Sequence, residues 1–189
     1  NNLLASGELD YRDFLARVDL LAAVGKTVLI SNYFEYYRLA AYLARYTKNR
    51  IGITMGAASL RELFDEKYYT HLEGGILESF GRLFKNDLKL YIYPLLDPAT
   101  GDLTAVQNFE VVPKLRKLYG YLVDRGCIEQ LNNFDETCLP IFSRDLLQKI
   151  RDNDASWEAM VPPEVSDIIK NRGYFGYRRN PKPPTRRSD

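Results

Sequence analysis

The sequence predicts an α/β fold built on a mostly parallel sheet, and three observations carry that reading. Thr27 to Ile30 is a short β-branched and apolar run without alternation, and residues 51–55 and 88–93 read as two further strands. A run without alternation suits a strand covered on both faces, as in parallel sheets. The first two end in small or hydroxyl-bearing residues, Ser31-Asn32 and Gly56-Ala57-Ala58-Ser59. Helical periodicity follows each, and alternation of strand and helix argues for parallel pairing with right-handed crossovers.

The elements follow in order. Tyr11, Phe14, Leu15, Val18, Leu21 and Ala22 recur at helical spacing, so a helix is expected over residues 10–23, with Gly25 as its C-terminal glycine. Thr27-Val28-Leu29-Ile30 reads as the first strand. Asn32 and Glu35 form a capping-box-like pair opening a tyrosine-rich helix through Tyr46. Ile51 to Met55 reads as the second strand, and Ser59 with Glu62 as a second capping box. Gly74-Gly75 precedes a helix over residues 76–84, and Leu88 to Tyr93 reads as the third strand. Asp97-Pro98-Ala99-Thr100-Gly101 is a turn signal, expected to build a protruding hairpin or loop near residues 95–105. Helices are expected over residues 113–123, from Ser143 to about Ile150, and from Pro162-Pro163-Glu164 to Gly173. Tyr174 to Tyr177 reads as an aromatic clasp. The expected whole is a three-layer, Rossmann-like α/β domain over residues 1–126, a helical C-terminal extension over 127–177 packed on it, and a basic extended tail over 178–189.

Composition limits the function classes. The chain has 189 residues, 46% hydrophobic and 27% charged, as in ordinary globular domains. No apolar run approaches the roughly 18 residues of a membrane span, so no membrane partner is expected. The net charge is +1; residues 178–189 hold five basic side chains and one acidic, leaving −3 on the rest. A mildly acidic body with a short basic tail argues against nucleic acid as partner. His71 is the single histidine, so no multi-histidine metal site is expected. Cys127 and Cys138 read as reduced structural thiols in a cytoplasmic protein. Residue 1 is Asn, and the chain is expected to be part of a larger polypeptide.

Ligands of open α/β sheets bind beyond the carboxyl ends of the strands. Ser31, Asn32 and Tyr33 after the first strand, Gly56, Ala57 and Ser59 after the second, and Gly74 and Gly75 before the next helix are the candidate ligand-binding residues. Small side chains let a phosphate approach backbone N–H groups at helix N-termini. Arg82 or Lys67 would add charge. The plainer reading is that such turns need caps and glycines anyway. Neither G-x-G-x-x-G nor the P-loop pattern is present. His71 reads as a general acid or base, or as a loop residue making ordinary hydrogen bonds. Glu73 and Glu78 flank the Gly-Gly helix start and read first as helix-terminus chemistry. Tyr33, Tyr36 and Tyr37 suit stacking on a base or sugar, or packing at a polar rim.

The run from Val28 to Leu43 resembles part of a poorly characterised bacterial protein family. So do Phe64 to Tyr69, Gly74 to Phe84 and Pro140 to Asp145. The similarity spans most of residues 10–177 and corresponds to the C-terminal part of longer chains. Some of those chains carry the label nicotinate-nucleotide adenylyltransferase. Adenylyltransferases of that kind hold ATP phosphates with a His-x-x-His or His-x-Gly-His element, which a chain with His71 alone lacks. No catalytic residue is carried over.

The leading expectation is therefore an enzyme domain of a larger bacterial protein that binds a phosphorylated small molecule or nucleotide at the strand ends. A transferase, of nucleotidyl or glycosyl groups, is the reaction class considered; the catalytic residues and any cofactor are unassigned. The alternative is a non-catalytic assembly domain, using the aromatic-rich helix as interface to the rest of its own protein or to a second copy in a homo-oligomer.

Overall fold

A computed structural model describes residues 10–178, so the tail expected beyond Arg178 lies outside the described residues. Seven α-helices are formed: α1 (Tyr11–Ala23), α2 (Tyr36–Leu43), α3 (Ala57–Leu63), α4 (Gly75–Leu83), α5 (Arg116–Asp124), α6 (Ser143–Asp152) and α7 (Pro163–Arg172). Five strands accompany them: β1 (Gly52–Gly56), β2 (Lys89–Tyr93), β3 (Leu95–Leu96), β4 (Leu103–Thr104) and β5 (Ile128–Gln130). The chain divides into two units, residues 32–140 and the remainder on both sides of them. Residue 126, the expected limit of the α/β part, falls inside the first of these, two residues before β5.

Residues 32–140 form a mixed α/β unit around a three-stranded parallel sheet of order β1-β2-β5. Register aligns Ile53 with Leu90 and Met55 with Ile92, while Leu90 also faces Ile128. These residues share one face, since partners in register point the same way. Leu90, Ile92 and Ile128 are fully buried there. The other face carries Thr54, Tyr91 and a Lys89–Glu129 ion pair, and it is only partly covered. The core is completed by Leu60, Leu63, Leu83 and edge-to-face rings. Phe80 meets Phe64 at 5.0 Å, Phe84 at 5.9 Å and Tyr69 at 6.2 Å. Buried phenols find acceptors: Tyr69 donates to the Leu63 carbonyl at 2.8 Å and Tyr119 to the Val106 carbonyl at 2.7 Å. Burial pushes both phenols up to about 12. The expected hairpin forms between β3 and β4, with the Asp97 carboxylate accepting from the Ala99 and Thr100 amides and Gly101 at φ +76°.

Three expectations are corrected. Thr27–Ile30 is not a strand. It pairs with nothing, and Leu29 and Ile30 are 59% and 60% exposed. A β-branched run becomes a strand only where a ladder receives it, and the sheet is complete without this one. Second, the tyrosine-rich helix starts at Tyr36 rather than Asn32 and ends at Leu43. Its N-cap is Glu35, which makes no cap bond because its carboxylate reaches Arg38 at 3.3 Å and His71 at 3.7 Å. Third, Ser59 is not a cap: α3 begins at Ala57 with Gly56 in the N-cap position. Ser143 likewise is the first residue of α6, after Phe142. Strand β5 was not expected at all; its three residues, Ile-Glu-Gln, carry no periodic signal.

The remaining unit is helical. Ile150, Trp157 and Ile169 form its core, with Tyr174, Phe175 and Tyr177 of the aromatic clasp packed against it. Asp10 caps α1 by accepting from the Arg12 and Asp13 amides, and Gly173 closes α7 at φ +63°. Asp19 is held between Arg172 Nη1 at 2.5 Å and the Tyr174 hydroxyl at 2.7 Å. Asp154 accepts from the Ser156 amide at 3.0 Å and from Lys149 Nζ at 3.1 Å.

Two stability predictions follow from these contacts. Truncating Phe80 to Ala removes the ring on which three others pack. It should cost about 3–5 kcal/mol in urea unfolding. Hydrogen bonds from Ser156, then the pairing with Lys149, hold the Asp154 carboxyl down at about 2, against an ordinary 3.8. A depressed carboxyl stabilises the fold above its unfolded value and loses that contribution as pH falls through the folded one. The stability gap between wild type and Asp154→Ala should therefore be full above pH 4 and shrink between pH 4 and 2, read by thermal melts across that range.

Candidate functional site

Helices α2 and α4 pack against each other and divide their faces cleanly. In α2, Tyr37 and Ala40 turn inward, while Arg38 and Ala41 are exposed and Tyr42 half-buried. Arg45, just past the helix end, continues the outward row at the spacing of 38, 41, 42 and 45. In α4, Ile76, Ser79, Phe80 and Leu83 are buried, while Glu78, Arg82 and the following Lys85 lie one above another on the outside.

Between these rows lies a groove of about 390 Å³. Tyr33, Tyr37 and Tyr42 supply its rings, Arg38, Arg45, Arg82 and Lys85 its cations, and Ala41 a wall without bulk. No carboxylate lines it. Arg38 and Arg82 sit over the Tyr37 ring at 5.8 and 5.7 Å. Each also has a carboxylate at the margin: Glu35 at 3.3 Å for Arg38 and Glu78 at 2.5 Å for Arg82. Arg45 and Lys85 have no carboxylate partner among the described residues. Tyr42 stacks at a tilt between Tyr33, at 5.5 Å, and Tyr46, at 5.1 Å. Its phenol is held above its ordinary value, chiefly by a hydrogen bond with Tyr46.

A group able to exchange a proton lies next to the groove. His71 Nε2 is 3.4 Å from the Tyr37 hydroxyl and 3.7 Å from Glu35 Oε1. Arg38 Nε donates to the same hydroxyl at 3.2 Å. The arrangement can bind an anion on its cations, hold a ring on its tyrosines, and give or take a proton at His71. Among the described residues, no three His, Cys, Asp or Glu side chains gather as a metal site.

The structure brings together only part of the residues singled out from sequence. Tyr33 and Arg82 line the groove. Ser31 and Asn32 are exposed residues without regular structure ahead of α2. Gly56 ends β1, Ala57 is buried as the first residue of α3, and Ser59 is half-buried in its first turn; none of them reaches the groove. Gly74 and Gly75 open α4. The Gly74 amide already donates to Glu78 Oε2 at 2.9 Å, and a Cβ on Gly74 would meet the Glu78 Cβ at 2.8 Å. Gly75 has φ +55°, where a side chain is strained. The Gly-Gly pair is thus explained by the backbone and by its own glutamate. Lys67 is engaged with Asp65 at 2.6 Å.

Arg38, Arg45 and Lys85 were missed. The signal was present: Arg38 and Arg45 are seven apart on the tyrosine-rich helix, and Arg82 and Lys85 three apart. Comparisons of the chain with protein-family models, with curated proteins and with solved structures found no match. No described helix is long and apolar enough to cross a membrane.

Side chains kept for a ligand contribute little to folding. Arg45→Ala and Lys85→Ala should each change unfolding free energy by no more than about 0.5 kcal/mol, read by urea titration.

Proposed function

We propose that the groove between α2 and α4 binds a phosphorylated small molecule or nucleotide, with phosphate on the cations and a ring on the tyrosines. The observation that carries this reading is four cations in a groove that no carboxylate lines, two of them without a carboxylate partner among the described residues. Like charges held together in a concave site raise the local potential and attract an anion. The Tyr33 and Tyr42 rings beside them suit a base or sugar. The volume lies within the range of small-ligand sites, roughly 300–1,000 Å³. The reading moves the ligand from the strand ends to the outer faces of two helices.

A transferase of nucleotidyl or glycosyl groups fits the same residues. The cations would neutralise charge on a phosphate leaving group, and His71, steadied by Glu35, would accept a proton from the attacking hydroxyl. A Rossmann-like layout, supported by three parallel strands with helices between them, agrees with that class. The rival reading, an assembly domain, is favoured by Phe34 and Tyr46, exposed at 61% and 74%. Sedimentation over a wide concentration range tests it, and a strict monomer removes self-association.

Titration calorimetry of the chain with AMP, ATP and inorganic phosphate tests the groove. AMP binding should weaken as salt rises, and the double variant Arg45→Gln/Lys85→Gln should lose at least about tenfold in affinity. Ser59→Ala, at the strand-end turn, should leave affinity unchanged. Affinity unaffected by the double variant would put the ligand elsewhere and end the proposal.

A further inference from the structure

The groove adjoins a second cavity of about 150 Å³, and the two have Ala41, Arg82 and Lys85 in common. Beyond those residues the surroundings change character. Ala40, Ala44, Ile51 and Leu88 supply apolar walls, and Asn86 is the uncharged polar side chain. No ring and no carboxylate lines this cavity. Ala40 and Leu88 are buried members of the core, so the walls are fixed by packing. The space exists because α2 turns only methyl side chains toward it at 40, 41 and 44. Along one path the site therefore presents tyrosine rings, then two cations, then a small chamber walled by Ala40, Ala44, Ile51 and Leu88, with Asn86 beside them. Arg82 is steadied at the junction by Glu78, while Lys85 has no carboxylate partner among the described residues.

Each part recognises a different chemistry. Rings take a base. Two cations at a junction take a phosphate that still carries charge after both of its sides are substituted. An apolar chamber of roughly 150 Å³ takes a group about the size of benzene, too small for a second nucleoside.

We infer that the ligand is two-ended. It is a phosphodiester whose phosphate lies between Arg82 and Lys85, with a nucleoside on the tyrosines and an apolar group of about six carbons in the alanine-lined chamber. The inference rests on the phosphate-binding reading above and adds the identity of the second substituent. A free monoester would leave the chamber empty and its apolar walls without contacts.

The test compares the methyl and phenyl esters of AMP, which carry the same single negative charge, by calorimetry on the whole chain, with AMP as reference. The phenyl ester should bind at least about tenfold tighter than the methyl ester. Ala44→Leu, which fills the chamber, should bring that ratio to about one in a protein whose urea transition shows it folded. Ile51→Phe, from another wall, is a second variant with the same expectation should the first fail to fold. Equal affinity of the two esters for wild type overturns the inference and leaves the phosphate reading standing. A phenyl advantage that survives in the folded variants also overturns it, since the ring then lies elsewhere. Absence of binding by AMP and both esters overturns the inference and the phosphate reading together.

Discussion

Tyr37 is buried to 4% exposure, yet its ring lies beneath two guanidinium groups and its hydroxyl faces both Arg38 and His71. The groove depends on this one side chain. Its ring joins the hydrophobic core from the α2 side. Its other surface gives Arg38 and Arg82 a place to rest without a carboxylate directly beneath them. An aromatic face attracts a cation without neutralising it. The two arginines are therefore positioned on the ring, while Glu35 and Glu78 balance their charge from the margin of the groove. An aspartate at this place would position them too, but would cancel the potential that an anionic ligand needs.

The distribution of carboxylates follows the same logic. Glu35 and Glu78 stand at the margins, each holding one arginine from its own helix at i, i+3 or i, i+4 spacing. Such exposed pairs contribute little stability. Their consequence is orientation, since each guanidinium is tethered on one side and open on the other. Arg45 and Lys85 lack even this restraint among the described residues. The proposed anionic ligand would give both cations a partner.

Much of the architecture was legible in the sequence, and the failures have physical causes. The Gly-Gly pair marked the start of α4 correctly because Gly75 needs a positive φ and Gly74 a close approach to Glu78. The Asp97–Gly101 turn was legible because its side-chain bonds are local. Thr27–Ile30 failed because strand formation depends on a distant neighbour, which a local pattern does not contain. Strand β5 failed for the converse reason. Its partner β2 receives it, though Ile128, Glu129 and Gln130 look like nothing in particular. In the sequence Arg38 and Arg45 look like ordinary helix-surface charges. What distinguishes them is α4 lying alongside, a tertiary fact.

The strand-end rule for open sheets also has a physical limit here. Its attraction for anions comes from free N–H groups at the start of the following helix. At the exit of β1, that helix has seven residues and begins with a buried alanine, so its first turn is drawn into the core. At the start of α4, the Gly74 amide is already matched by the Glu78 carboxylate, which also holds Arg82. An incoming phosphate at that terminus would have to displace a carboxylate built into the same helix. In the groove the proposed phosphate would meet Arg45 and Lys85, which have no carboxylate partner among the described residues.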